Sequence, residues 1–108
     1  MNGQQEIQRH FPRIKNVLLV EISRFDEKGF RADMATGRTF DISYGGLRLA
    51  PNDRLSVGQP LRLEVNGLGP LSGTVVRVAD DYCGLRLDLE EDECERVKSF
   101  VDQLRDAA

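Results

Sequence analysis

Residues 38–49 read "RTFDISYGGLRL", and this stretch decides how the middle of the chain folds. Its ends are typical of β-strands, because Leu47 and Leu49 alternate with Arg48 at the two-residue period of a half-buried strand. The central letters "DISYGG", residues 41–46, are those that turns favour. The stretch therefore predicts a strand, a turn and a second strand. Two adjacent glycines exceed what a tight hairpin needs, and a second one suits close approach to the backbone.

Short strand-like segments lie on both sides of this hairpin. "NVLLVEIS" at 16–23 predicts the first strand, and a short second strand is expected around residues 30–34, with Gly29 and Gly37 as turn markers. Two further segments, "NDRLSVGQ" at 52–59 and "GLGPLSG" at 67–73, predict a loop and a turn. The remaining strand-like segments are "PLRLEVNG" at 60–67, "TVVRVADD" at 74–81 and "CGLRLDL" at 83–89. The chain thus predicts five to seven short strands, the last two forming a hairpin.

The C-terminal segment changes to a helical period. Cys94, Val97, Val101 and Leu104 fall on one face of a helix predicted over 90–106. Acidic residues 90–93 occupy its first turn, where the helix macrodipole favours negative charge. Such a run suits helix capping better than a cation site, since it lacks the alternating ligand spacing of a calcium loop. Short strands followed by one helix predict a small antiparallel β-barrel of about six strands, closed by one amphipathic α-helix. A two-layer α+β sheet is the alternative.

Length and composition set further bounds. The 108 residues suggest one domain, with a flexible N-terminus at 1–8 and a barrel domain over 9–108 that includes the helix. No apolar run approaches 18 residues and the N-terminus lacks a secretory h-region, so we expect a cytoplasmic protein without membrane insertion. The net charge of −3 argues against a general DNA or RNA binder.

The two cysteines carry no obvious chemistry. Cys83 and Cys94 are too few for a zinc cage, and both are expected to be reduced, buried and small apolar residues. The single histidine, His10, is distant in sequence from either thiol. We therefore expect no metal, no cofactor and no enzyme activity, since neither a P-loop nor a dinucleotide fingerprint occurs.

The central turn is one of two candidate binding features. Asp41 and Ser43 are two residues apart, so in an extended chain they point to the same face. A carboxylate there can accept hydrogen bonds from a ring N–H and an exocyclic amino group, the paired donors that guanine presents. The alternative is a purely structural bulge, because Asp and Ser also hydrogen-bond the backbone in turns.

The second candidate feature is the basic segment "RHFPR" at 9–13. Arg9 and Arg13 fall on one side of an extended chain, and Pro12 disfavours a helix there. Guanidinium groups bind phosphate in a bidentate manner and also bind or stack on guanine. The alternative is a pair of solvated arginines on a terminus. Each feature is weak alone, and their co-occurrence strengthens both.

Together these motifs resemble the PilZ domains, bacterial receptors for cyclic di-GMP. "RHFPR" matches the RxxxR motif of that family and "DISYGG" matches its (D/N)xSxxG motif. "GTVVRV", a "GLRL" strand and a terminal helix extend the likeness over nearly the whole chain. The resemblance implies that Arg9 and Arg13 grip the ligand's phosphates and guanine edges. It also implies that Asp41 and Ser43 hold a guanine, and that Gly46 permits the turn and close approach.

Three further positions bear on the resemblance. Arg77 lies where family members often carry a basic residue on a neighbouring strand, so it is a further ligand-binding candidate. Leu87 stands where the family often has phenylalanine, which affects packing more than binding. Gln8, just before the arginine motif, leaves open whether the ligand binds as one molecule or as a stacked dimer.

The resemblance implies a cyclic di-GMP receptor that orders its arginine arm on binding and signals to an unidentified partner protein. Two alternatives remain. One is a PilZ-fold protein-interaction module that binds no nucleotide and docks a partner through its acidic helix. The other is a barrel for single-stranded nucleic acid, which the acidic charge disfavours.

Overall fold

The computed structural model describes residues 14–25, 28–50 and 55–107. The arginine motif at 9–13, residues 1–8 and the first part of the predicted loop at 52–59 lie outside these ranges. The described residues form seven strands and one helix, α1, over Glu91–Ala107. The strands are β1 (Ile14–Lys15), β2 (Leu19–Phe25), β3 (Arg31–Ile42), β4 (Gly46–Ala50), β5 (Pro60–Val65), β6 (Gly69–Val78) and β7 (Cys83–Leu87).

Six of these strands close into an antiparallel barrel, which confirms the predicted fold. The order runs β3-β2-β5-β6-β7-β4, and β4 pairs back onto β3 to complete the ring. The short β1 adds to β3 outside the ring, where Ile14 lies opposite Ile42. Closure leaves the six main strands without free edges over their paired lengths, and free edges are a hazard for short strands.

The barrel interior is almost entirely aliphatic, as expected for a chain without tryptophan. Alternate residues of the strands point inward, and each fully buried side chain stabilises the fold by about 1.5–3 kcal/mol. The core consists of Val20, Ile22, Ile42, Leu47, Leu49, Leu61, Leu63, Val65, Leu68, Leu71, Val75, Cys83, Leu85, Leu87, Val97 and Val101.

Helix α1 contributes the last two core residues, Val97 and Val101, and so closes one side of the barrel. The Glu93 side chain accepts from the backbone N–H of Glu90 at 3.0 Å, which caps the helix start as the acidic first turn predicts. The prediction that Cys94 is buried is wrong, because its side chain is exposed. Only the helical turns from Val97 onward pack on the barrel, and Cys94 lies in an earlier turn.

Two turn predictions were also wrong. Gly37 lies within β3, opposite Val20, so one long strand replaces the two that were expected. Strand β6 begins at Gly69, within the predicted turn "GLGPLSG". Gly67 and Gly69 have φ values of 85° and 100°, so the reversal is confined to a few residues. Among the described residues, no helix combines the length and apolar character needed to span a bilayer.

Candidate ligand-binding site

The candidate site lies on the outer face of the barrel, where two irregular strands bring charged residues into one row. The register of β3 against β4 shifts between Thr39 and Asp41, so Phe40 is an extra residue. A bulge of this kind reverses which face the following residues present. Thr39 therefore lies inside with the core, and Asp41 pairs with the outward Arg48 of β4.

A second bulge of the same kind occurs in β6. The register shifts between Val75 and Arg77, with Val76 as the extra residue. Val75 is buried in the core, and Arg77 pairs with Gly84 of β7. Because Gly84 also pairs with Arg48, a continuous row crosses four neighbouring strands. The row is Asp41, Arg48, Gly84 and Arg77.

Asp41 is the buried anchor of this row. Asp41 is only 1% exposed. Its Oδ2 accepts a hydrogen bond from Nε of Arg48 at 2.7 Å and another from Nη2 of the same guanidinium. The hydrogen bond to Asp41 is the main cause that raises the pKa of Arg48, with a further contribution from Tyr82. Charge-assisted hydrogen bonds of this type are about twice as strong as neutral ones. A carboxylate of the binding motif is therefore held in one orientation by a neighbouring strand.

Ser43 and Gly46 organise the turn itself. The backbone N–H of Ser43 donates to the carbonyl oxygen of Gly46 at 2.8 Å, and the Ser43 hydroxyl reaches the same oxygen at 3.3 Å. A Cβ on Gly46 would lie 2.6 Å from the carbonyl oxygen of Leu85 on β7. Neither Gly45 nor Gly46 has a positive φ. Gly46 is therefore required by close strand contact, and Gly45 has open space around its Cα.

The turn is also tied to the C-terminal helix. The Tyr44 hydroxyl donates to Oδ1 of Asp102 on α1, and Nη2 of Arg105 lies 3.1 Å from the same oxygen. The hydrogen bond to Asp102 is the first cause that raises the pKa of Tyr44. A displacement of the turn would therefore act directly on the helix.

Residues that the motifs do not include surround the row. The Arg48 Cζ lies 5.3 Å from the centroid of the Tyr82 ring, and the Arg77 Cζ lies 5.9 Å from it. Phe40 meets the same ring edge-on, with centroids 6.3 Å apart and planes at 88°. Sequence reasoning treated Arg48 only as the polar member of an alternating strand. Counting residues outward from the turn would have placed it opposite Asp41. Tyr82 is near Arg77 in the predicted hairpin, whereas nothing local links Tyr82 to Arg48.

The structure thus brings Asp41 and Arg77 into one row, with Ser43 and Gly46 in the adjoining turn. Arg9 and Arg13 lie outside the described residues. The described part of the chain contains no cluster of three or more side chains suited to holding a metal ion. The arrangement offers a buried carboxylate acceptor, two guanidinium groups and two aromatic rings on an outer surface. Such a surface suits a ligand that carries both planar donors and negative charge.

Comparisons with known proteins agree with this fold. The family model "PilZ domain" matches residues 7–103. The PilZ domain of CeSA, from a cellulose-synthesizing bacterium, is similar with a TM-score of 0.69 and 22% identity, covering 87% of this chain and 98% of that one. The PilZ domain of YcgR from Escherichia coli, solved with c-di-GMP, has a TM-score of 0.66 and 15% identity, covering 93% of each chain.

A third similar structure is the Bacillus subtilis inhibitor of motility MotI/DgrA, with a TM-score of 0.69 and 19% identity. The match covers 93% of this chain and 52% of that one. A comparison with curated protein sequences found no significant match. The closed antiparallel barrel, its helix and the match over nearly the whole length establish the class: the chain belongs to the PilZ domain family, a family of cyclic di-GMP receptors.

Proposed function

We propose that this chain is a cytoplasmic receptor for cyclic di-GMP that passes the signal to a partner protein. The observation that carries the proposal is the position of Asp41, a buried carboxylate on the outer wall, in one row with Arg48 and Arg77. Cyclic di-GMP joins two guanines to two phosphates, and this row pairs an acceptor for guanine donors with cations for phosphate. The family match and the YcgR complex support the same ligand class.

In this proposal the arginine arm completes the site. Arg9 and Arg13 bind the phosphates and guanine edges, while Asp41 and Ser43 hold a base against the barrel. Fixing the arm costs about 1–2 kcal/mol of backbone entropy per residue. Charge-assisted hydrogen bonds, at about 1.5–3 kcal/mol each, must exceed that cost. The arm is therefore expected to become ordered only when ligand is bound.

Signal transfer follows from the contact between turn and helix. A base held at the turn changes the position of Tyr44, whose hydroxyl bonds Asp102 on α1. The ordered arm and the adjusted helix then present a surface that a partner protein recognises. The partner acts on a change of shape, and the receptor performs no chemistry.

Titration calorimetry with cyclic di-GMP tests the proposal. The unmodified protein should bind with a dissociation constant in the micromolar range or below, which is about −8 kcal/mol or stronger. Arg9→Ala and Arg13→Ala should each weaken binding about tenfold or more, since each removes a charge-assisted contact. Arg62→Ala on β5 is a matched control, because this exposed arginine lies on a strand outside the row. Equal losses in all three variants would point to unspecific charge attraction.

Limited trypsin digestion tests the ordering of the arm. Ligand should slow cleavage after Arg9 and Arg13 relative to cleavage after Lys28, which is exposed between β2 and β3, as measured by mass spectrometry. An absence of binding at millimolar ligand would reject the receptor and leave the PilZ-fold interaction module. Binding without protection of the two arginines would retain the receptor and reject the ordering of the arm.

A further inference from the structure

The aromatic and cationic residues around the row form a surface of their own, here termed the stacking ledge: Phe40, Arg48, Arg77 and Tyr82. Tyr82 lies in the connection from β6 to β7, where its carbonyl oxygen accepts from the N–H of Ala79 at 2.9 Å. Its ring has one guanidinium at 5.3 Å and another at 5.9 Å from its centroid. Phe40, which is 40% exposed, meets the ring edge-on.

The position of the ledge is set by features that the core does not need. Phe40 is the extra residue in β3, and the extra residue in β6 places Arg77 opposite Gly84. Gly84, which is buried, contributes no side chain between Arg48 and Arg77, so the two arginines and the Tyr82 ring come together above it. The barrel interior is filled from the opposite face of these strands. Cation–π contacts at an exposed site add little to stability, so folding alone does not account for the ledge.

Arg48 connects the ledge to the buried carboxylate. Its guanidinium donates to Asp41 and lies over the Tyr82 ring at the same time. Planar guanidinium groups and phenol rings are the surfaces on which nucleobases stack in proteins. A purine lying on this ledge would have its edge beside the carboxylate and its phosphate beside two arginines.

We propose that the stacking ledge binds a purine base of the ligand face-on, so that Tyr82 and Arg48 contact the nucleotide although neither belongs to the two motifs. The inference rests on the proposed function, because it takes cyclic di-GMP as the ligand. Arg48 stays bonded to Asp41 and offers its flat face, while Tyr82 offers its ring. The ledge provides affinity for any purine, and Asp41 provides the preference for guanine.

Substitutions at Tyr82 and Arg48 test the contact. Tyr82→Ala should weaken cyclic di-GMP binding about tenfold, within the range of base–aromatic stacking. Tyr82→Phe is the matched control, since it keeps the ring and should bind within about twofold of the unmodified protein. Arg48→Lys keeps the positive charge but removes the planar guanidinium group, so it should also weaken binding. Melting temperatures measured alongside show whether each variant is folded.

Tyrosine fluorescence tests the contact without altering Tyr82. The chain has two tyrosines and no tryptophan, so in Tyr44→Phe all tyrosine emission comes from Tyr82. A guanine stacked on that ring should quench the emission in proportion to bound ligand. N-acetyltyrosinamide titrated with the same cyclic di-GMP corrects for ligand absorbance.

The outcomes separate the two proposals. If the unmodified protein binds cyclic di-GMP, Tyr82→Ala binds it equally well and Tyr82 emission stays unchanged, the stacking contact is refuted. The receptor proposal is then retained. Failure of the unmodified protein to bind refutes both. Loss of binding in Tyr82→Ala with Tyr82 quenched in Tyr44→Phe confirms the stacking contact.

Discussion

Gly46 gives the sharpest test of how the turn at 41–46 is built. Its Cα faces the neighbouring strand, and an added Cβ would lie 2.6 Å from the carbonyl oxygen of Leu85. Ordinary contact begins near 3.4 Å, so Gly46→Ala forces β4 and β7 apart by about 0.8 Å. The obstacle is backbone, which cannot rotate away as a side chain would. The substitution must therefore strain the ladder that joins the two strands.

The expected cost follows from two destabilising terms and one that opposes them. Overpacking of this kind costs about 1–3 kcal/mol, and a weakened ladder hydrogen bond adds about 1 kcal/mol. Replacing glycine by alanine recovers about 0.4–1 kcal/mol by restricting the unfolded chain. The net loss is about 2 kcal/mol, which lowers the melting temperature by about 8–16 °C in a domain of this size.

Gly45→Ala is the matched control. A Cβ there meets nothing within 4 Å, and the residue does not have a positive φ. This variant should be as stable as the unmodified protein or slightly more stable, by about 0.4–1 kcal/mol. Urea unfolding followed by circular dichroism measures both free energies. Equal stability of the two variants would refute the steric role of Gly46 and leave ligand approach as its explanation.

Four further predictions concern other contacts of the site and the core. Arg48→Ala should lower the free energy of unfolding by about 1–3 kcal/mol, because it removes the charge-assisted hydrogen bonds that Arg48 donates to the buried Asp41 carboxylate. The control Arg86→Ala, whose ion pair is exposed, should cost under about 1 kcal/mol, and similar losses in urea unfolding would contradict the distinction. Burial raises the pKa of the Cys83 thiol to about 11, so the unfolded chain ionises first as pH rises. Stability should therefore fall by about 2 kcal/mol between pH 8 and 10.5, and comparison with Cys83→Ala, which should lack this component, isolates it. In the same folded protein a thiol reagent should label Cys94 and spare Cys83, and equal labelling would count against the core position. Tyr44→Phe should lower the free energy of unfolding slightly and speed amide exchange in the C-terminal half of α1, and unchanged exchange would argue against the link between turn and helix.

The sequence predicted the elements that depend on local periodicity. Alternation of Leu61, Leu63 and Val65 identified β5, and the helical stripe identified α1 within a residue or so at each end. The turn letters at 41–46 located the junction of β3 and β4. Predictions that relied on single glycines as turn markers were less successful. Gly37 lies inside a strand, because its pairing with Val20 outweighs its weak local preference for a turn.

The exposure of Cys94 shows a second limit of periodicity. The stripe of α1 is correct in its spacing, yet only its later turns meet the barrel. A helical pattern identifies which residues share a face, whereas burial depends on how far the neighbouring element extends. The helix sequence alone does not show how far the barrel extends along it.

The sequence by itself determined the kinds of element, the turn at 41–46 and the family to which its motifs point. Only the tertiary structure decided which side chains share the outer face of the barrel. One extra residue in β3 and one in β6 reverse the alternation there, so Asp41 and Arg77 turn outward into one row. Tyr82 joins them through contacts with the nearby Arg77 and with Arg48, which is remote in sequence. The two-residue alternation of a strand can be read from its own sequence. A register shift depends on the partner strand, so it appears only when the strands pair.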